Sequence, residues 1–280
     1  MRITLVQSDI RRGDAEENLR RLDEAMLRHA GTDLFVFPEM FASGFCMQPD
    51  AAAESEGGRV QAWMRRRAAE RDAALAGSVA VRKADGTLRN RLLLAMPDGA
   101  CAVYDKRHLF AYGGEDRCYR AGAARTVVCW RGVRILLQVC YDLRFPVWSR
   151  NRQDYDLALY VANWPTARIG AWDTLLRARA IENQCYVAGV NRVGADEAGD
   201  YCGHSVLVDP LGRALTDEAE GVACERTGVA DMEVLRRCRE KFPVWADADP
   251  FTLDTQPWGA ADGGCRKRMN ADYSFRRPKE

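Results

Sequence analysis

Apolar and polar positions alternate along this chain in the periods of strands and helices. The run from Ile3 to Ile10 reads as a mostly buried strand. Behind it, Ala15 to His29 carries Leu19, Leu22, Met26 and Leu27 at helical spacing, which predicts a helix with these four on one face, closed by Gly31. Asp33 to Phe37 is a second short apolar strand, ended by Pro38. A strand–helix–strand order predicts parallel pairing in an α/β layered fold. Val60 to Asp72 reads as a further helix. Ala74 to Val81, Arg91 to Met96 and Cys101 to Asp105 read as strands joined by Asp85-Gly86 and Pro97-Asp98-Gly99 turns. Later strands are expected at Arg134 to Cys140, Leu157 to Ala162, Cys185 to Asn191 and Ser205 to Asp209, with a helix over Ala171 to Asn183. Nothing linker-like interrupts this order before Asp254, so one domain is expected over 1–253. A polar extension rich in Gly, Arg and Lys follows over 254–280.

Composition narrows the function classes. Lys plus Arg number 41 against 40 Asp plus Glu, a net charge of +1, which leaves no broad electrostatic footprint for nucleic acid or an anionic membrane. No apolar run approaches the roughly 20 residues that cross a bilayer, and Met1 to Ile10 is too short and polar for a signal-peptide core. A cytoplasmic setting is therefore expected, with the ten cysteines mostly acting as small apolar residues. No two cysteines have C-x-x-C spacing, and His29, His108 and His204 are scattered, so no metal site is expected. The chain lacks G-x-G-x-x-G and P-loop motifs, and no cofactor is expected.

Three strand ends carry the chemistry. Ile135 to Val139 delivers Cys140 to the edge of a sheet, where Tyr141 to Pro146 turns the chain away. A thiol needs a base or an electropositive neighbour to react near neutral pH, its unperturbed pKa being about 8.5. No histidine is placed for that task, so a carboxylate base is the alternative, and Glu39 follows its own strand. Lys106, just past the strand ending near Tyr104, would add fixed positive charge. Open α/β sheets favour sites at the carboxyl ends of strands, where all three fall. Taken singly, a buried cysteine more often packs than reacts.

Together, Phe37-Pro38-Glu39-Met40, Tyr104-Asp105-Lys106-Arg107-His108-Leu109-Phe110 and Val139-Cys140-Tyr141-Asp142-Leu143-Arg144-Phe145-Pro146 resemble the three signature segments of the nitrilase, or carbon–nitrogen hydrolase, superfamily. Ala162-Asn163-Trp164-Pro165 and Arg177 to Gln184 resemble further blocks, so the likeness spans roughly Met1 to Leu253. The flanks Trp164-Pro165 and Gly189 to Gly194 are similar to its omega-amidase and 2-oxoglutaramate amidase branch. The resemblance implies an α-β-β-α sandwich that pairs through its helices into a dimer or larger homo-oligomer.

It also implies roles. Glu39 would be general base, Cys140 the nucleophile that forms a thioester, and Lys106 with the Tyr141 backbone N–H the oxyanion donors. Glu115 fits a second glutamate that orients Lys106 and the amide, although its charged surroundings also suit a solvated loop. The implied substrate is the terminal amide of a small dicarboxylic acid, with 2-oxoglutaramate ahead of 2-oxosuccinamate. Nitrile or N-carbamoyl amino acid hydrolysis would use the same three residues. Arg144 either anchors the substrate carboxylate or braces its turn against Asp142 or Glu182. Asp142 and Glu182 read as structural, and His108 as a surface or packing residue. Phe41, Phe45, Trp164 and Trp245 are candidates for the pocket wall, with core packing as the alternative. One departure concerns substrate choice: where many relatives follow Phe-Pro with Glu, this chain has Val147.

Overall fold

The computed structural model describes residues 1–45 and 52–253. The chain divides into a unit Met1–Asp249 and a short unit Pro250–Glu280, and the expected extension over 254–280 lies outside the described residues. In chain order the elements are β1 (Arg2–Gln7), α1 (Ala15–Leu27), β2 (Leu34–Val36), β3 (Glu54–Ser55), α2 (Arg59–Arg71), β4 (Ala74–Arg82), β5 (Leu88–Ala95) and β6 (Cys101–Asp105). There follow α3 (Glu115–Cys118), β7 (Val127–Trp130), β8 (Val133–Val139), α4 (Pro146–Ser149), β9 (Leu157–Ala162), α5 (Ile169–Asn183) and β10 (Tyr186–Asn191). The last are β11 (Val193–Asp196), β12 (Gly199–Cys202), β13 (Val206–Val208), β14 (Cys224–Val229) and α6 (Met232–Lys241).

Two sheets form the middle of the molecule. One runs β14-β1-β2-β4-β5-β6 with β3 beside β4, and the other runs β13-β10-β9-β8-β7. β1, β2 and β4 pair in parallel, as do β8, β9 and β10, so each sheet has a parallel centre with antiparallel edges. Alternation along the strands supplies two buried faces per sheet. Leu19, Leu22 and Met26 of α1 and Trp63 and Met64 of α2 pack on Phe35, Leu75 and Leu93 of the first sheet. Trp172, Leu176 and Ala180 of α5 pack on Leu136, Tyr160 and Val187 of the second. The opposite strand faces meet each other, β1 against β10 and β5 against β8. The result is an α-β-β-α sandwich.

Local chemistry sets the close approaches. Asp14 caps α1 by accepting the Glu17 N–H at 3.1 Å. Gly189 lets α5 lie tight on β10, since a Cβ there would stand 2.4 Å from a Leu176 methyl. Trp172 beneath it is fully buried, a side chain worth about 3–5 kcal/mol relative to alanine. The predicted first helix differs at its end: it stops at Leu27, which is 62% exposed, because the face repeat has by then turned to solvent. The first strand stops at Gln7 rather than Ile10: Gln7 is its last residue paired with β14, opposite Cys224, and its side-chain amide donates to the Ala219 and Val222 carbonyls.

Candidate active site

Four parallel or edge strands end on the same side of the sandwich, and the chain beyond them supplies Glu39 (after β2), Lys106 (after β6), Cys140 (after β8) and Asn163 (after β9). Two of these ends are bent sharply. Met40 and Cys140 have φ of 48° and 45°, the left-handed region that costs a non-glycine residue about 1–3 kcal/mol. Surrounding hydrogen bonds hold both bends. Met40 N–H donates to Ser78 Oγ at 3.0 Å. Below Cys140, the buried Asp142 carboxylate accepts the Val139 and His108 N–H groups at 3.0 and 2.9 Å and the Tyr104 hydroxyl at 2.8 Å. Cys140 thus begins a 3-10 turn, with strand β8 ending one residue earlier than the sequence suggests.

Around the bends lies a charged cluster almost sealed from water. Lys106 Nζ stands 2.8 Å from Glu39 Oε1 and 2.9 Å from Glu115 Oε2, and all three side chains are at most 1% exposed. Asn90 Nδ2 donates to both carboxylates, at 2.6 Å to Glu39 and 3.0 Å to Glu115. Backbone N–H groups complete the shell, Asn163 donating to Glu39 Oε2 at 2.9 Å and Phe110 to Glu115 Oε2 at 2.7 Å. Every carboxylate oxygen is therefore paired, as burial requires. Dry surroundings alone would lower the Lys106 pKa, but Glu115 and Glu39 outweigh them and hold it well above its usual value. Cys140 moves the same way for other reasons: burial and then the Glu39 charge push the thiol well up, against the pull of Lys106. The resting arrangement is a neutral thiol beside a carboxylate and a fixed ammonium.

A cleft of about 430 Å³ opens above this floor. Phe45, Phe110, Tyr141 and Trp164 wall it, and Arg144 and Arg168 stand on its sides. Asp196, Glu197 and Tyr201 of the β11–β12 hairpin complete the rim.

The structure brings Glu39, Lys106, Glu115 and Cys140 together, with Tyr141, Arg144, Phe45 and Trp164 lining the same cleft. Glu115 is wholly buried, so the solvated-loop alternative is excluded. Arg144 does not brace its turn: Asp142 is taken by Tyr104, Val139 and His108, and Glu182 pairs with Arg179 at 2.9 Å. Its guanidinium lies 4.9 Å over the Trp164 ring instead. Phe41 belongs to the core, packed where Gly77 leaves room for its ring. Trp245 lines a separate cavity with Arg134 and Gln184, at the opposite ends of the second sheet's strands. His108 stacks on Phe145 at 3.9 Å, a packing role. Val147 is 54% exposed and lines neither cavity.

Sequence reasoning missed Asn90, the Asn163 N–H, Phe110, Arg168 and the hairpin. Asn90 left a signal, a carboxamide inside the apolar strand Leu88–Ala95. Away from the cleft, Asp173, His204 and Glu218 bring donor atoms within 4.8 Å of one another. There Asp173 already meets His204 Nδ1 at 3.1 Å, and Glu218 pairs with Arg177.

Residues 2–236 match the family model described as carbon–nitrogen hydrolase. The chain is 50% identical over 256 residues to omega-amidase YafV of Yersinia enterocolitica, covering 90% of this chain and 98% of that one. It is 33% identical over 253 residues to the 2-oxoglutaramate amidase of Bacillus subtilis strain 168, covering 88% and 96%. Among solved structures, XC1258 from Xanthomonas campestris, a CN-hydrolase superfamily protein with an arsenic adduct in its active site, superposes with a TM-score of 0.88. That pair is 45% identical, with 91% of this chain and 99% of the other covered.

Proposed function

This chain belongs to the carbon–nitrogen hydrolase family, and from that premise we propose that it hydrolyses the terminal amide of a small dicarboxylic acid monoamide to acid and ammonia. The leading substrate is 2-oxoglutaramate, with 2-oxosuccinamate behind it. One observation carries the reading: Cys140 sits at the floor of a cleft beside the Glu39–Lys106–Glu115 cluster, under the arginine Arg144, which has no ion-pair partner among the described residues.

Chemistry follows from the charges. As Cys140 Sγ bonds to the amide carbon, Glu39 takes the thiol proton and the carbonyl π pair moves to oxygen. Lys106 and the Tyr141 N–H meet that oxyanion, at no reorganisation cost because Glu39 and Glu115 already fix the ammonium. Glu39 then gives its proton to the nitrogen, the C–N bond breaks, and ammonia leaves a thioester. Water attacks next, losing a proton to Glu39, and the C–S bond breaks to release the acid and restore the thiol. Arg144 holds the distant carboxylate, so binding energy far from the amide serves orientation at the reacting carbon.

Ammonia release from a substrate panel tests this. The expected order places 2-oxoglutaramate first, with a neutral amide of matched length losing both kcat and affinity. A nitrile or an N-carbamoyl amino acid turned over best would replace the amide reading while keeping the same residues.

The chain also works as at least a dimer through its helical faces. Ile181 of α5 is 52% exposed and adjoins the loop of Leu211, itself 58% exposed, an apolar patch on a helix layer that no other layer covers among the described residues. Light scattering at micromolar concentration should give at least twice the monomer mass of 31.4 kDa, and a clean monomer would refute it.

A further inference from the structure

We propose that Arg168 is a specificity residue, one that takes the 2-oxo oxygen of the substrate while Arg144 takes the neighbouring carboxylate. Through this pair the site selects 2-oxo acid amides over 2-amino acid amides. The inference rests on the ω-amide reading above.

Its basis is an excess of positive charge in the cleft. Arg144 lies 4.9 Å over Trp164, and Arg168 lies 5.3 Å over Phe110. One residue ties the two together: the Trp164 ring face carries Arg144, while its indole Nε1–H donates to the Arg168 carbonyl at 2.8 Å. Phe110 is steadied in turn by an edge contact with Tyr141 at 5.1 Å, next to Cys140. A guanidinium held over an aromatic face by cation–π attraction leaves N–H groups to donate to an acceptor in the cleft.

Among the described residues, every acid of the cleft already has a partner. Glu39 and Glu115 hold Lys106, Asp196 holds Arg192 at 2.9 Å and the Tyr201 hydroxyl at 3.1 Å, and Glu197 pairs with Arg12. Among the described residues neither Arg144 nor Arg168 has an ion-pair partner, so the ligand supplies the acceptors. A monoamide of a dicarboxylic acid brings one carboxylate, enough for one arginine. A ketone on the adjoining carbon brings an acceptor for the second. An ammonium at that carbon would instead meet like charge and offer only donors to a donor, which a site built for an acceptor rejects.

The test compares kcat/KM for 2-oxoglutaramate, glutaramate (the same chain without the ketone) and glutamine, in wild type, Arg168→Gln and Arg168→Lys. Wild type should prefer 2-oxoglutaramate to glutaramate by about tenfold or more. Arg168→Gln should erase that preference while glutaramate turnover stays within about threefold of wild type. Glutamine should be the poorest substrate for wild type and should gain on 2-oxoglutaramate in Arg168→Gln. Arg168→Lys, a cation without the flat fork, should fall between. Retained glutaramate turnover also reports a folded enzyme. Equal losses on both acids, or an unchanged ratio, would overturn the role of Arg168 while leaving the ω-amide reading standing. A wild type inactive on all three would overturn both.

Discussion

Cys140→Ala abolishes ammonia release and leaves the protein folded. The loss in kcat should be on the order of 10⁶, the size seen when a covalent nucleophile is removed from a cooperative catalytic group. Stability should change by only about 1 kcal/mol, because Cys140 is partly exposed at the cleft floor and buries no large side chain there. Alanine meets the same backbone demand as cysteine at φ 45°, so the bend adds no new strain. Cys185 is the matching control. It is fully buried with its thiol pushed up to about 12 by burial, and it lies outside the cleft. Ammonia assay and thermal melting of the same preparations check both halves, and substantial activity in Cys140→Ala would remove the nucleophile from the account.

Glu39→Gln has the next largest effect, a fall in kcat of about 10²–10⁴, the usual worth of a positioned general base. The substitution keeps an oxygen for Lys106 and Asn90 but sets an amide N–H₂ against the Asn163 N–H, where Glu39 Oε2 now accepts. Its pH dependence separates base loss from misplacement. In the wild type the thiol is held neutral well above its ordinary range, so kcat/KM should stay level across about pH 7 to 9 rather than climb with a thiolate fraction. Lys106, raised well above 10.5, stays charged throughout and contributes no falling limb there. In Glu39→Gln the surviving route uses thiolate formed by solvent, so the residual rate should climb with pH. A residual rate as level as the wild type's would assign Glu39 a structural role.

What could be read from the sequence, and what could not, divides along physical lines. The strand Leu157–Ala162 is found at its predicted bounds because both of its faces are buried and its apolar run is continuous, whereas the edge strand Cys101–Asp105, with Tyr104 its one buried residue, owes its bounds to the turn that precedes it. β14 went unseen because Cys224–Val229 is an edge strand with polar, half-exposed positions. Helix α6 went unseen because Leu235 is its one buried residue. In the site, the three strand ends bearing Glu39, Lys106 and Cys140 were legible as motifs. Asn90 and the Asn163 N–H were not, since a bridge between two carboxylates is a property of tertiary contact rather than of spacing. Arg144 shows the same limit, its expected partners Asp142 and Glu182 being held by other residues.

The central claim is that the amide passes through a thioester on Cys140, and product partitioning with hydroxylamine tests it most directly. Wild-type enzyme turning over glutaramate, and separately the matching monomethyl ester of glutarate, neither of which has a ketone for hydroxylamine to convert to an oxime, is supplied with rising hydroxylamine while acid and hydroxamate are measured above the enzyme-free rate. A shared acyl-enzyme forgets its leaving group, so the account predicts one hydroxamate-to-acid ratio for both substrates at each concentration, and neither product with Cys140→Ala. Ratios that differ between amide and ester, or acid formed with no hydroxamate at any concentration, would contradict it.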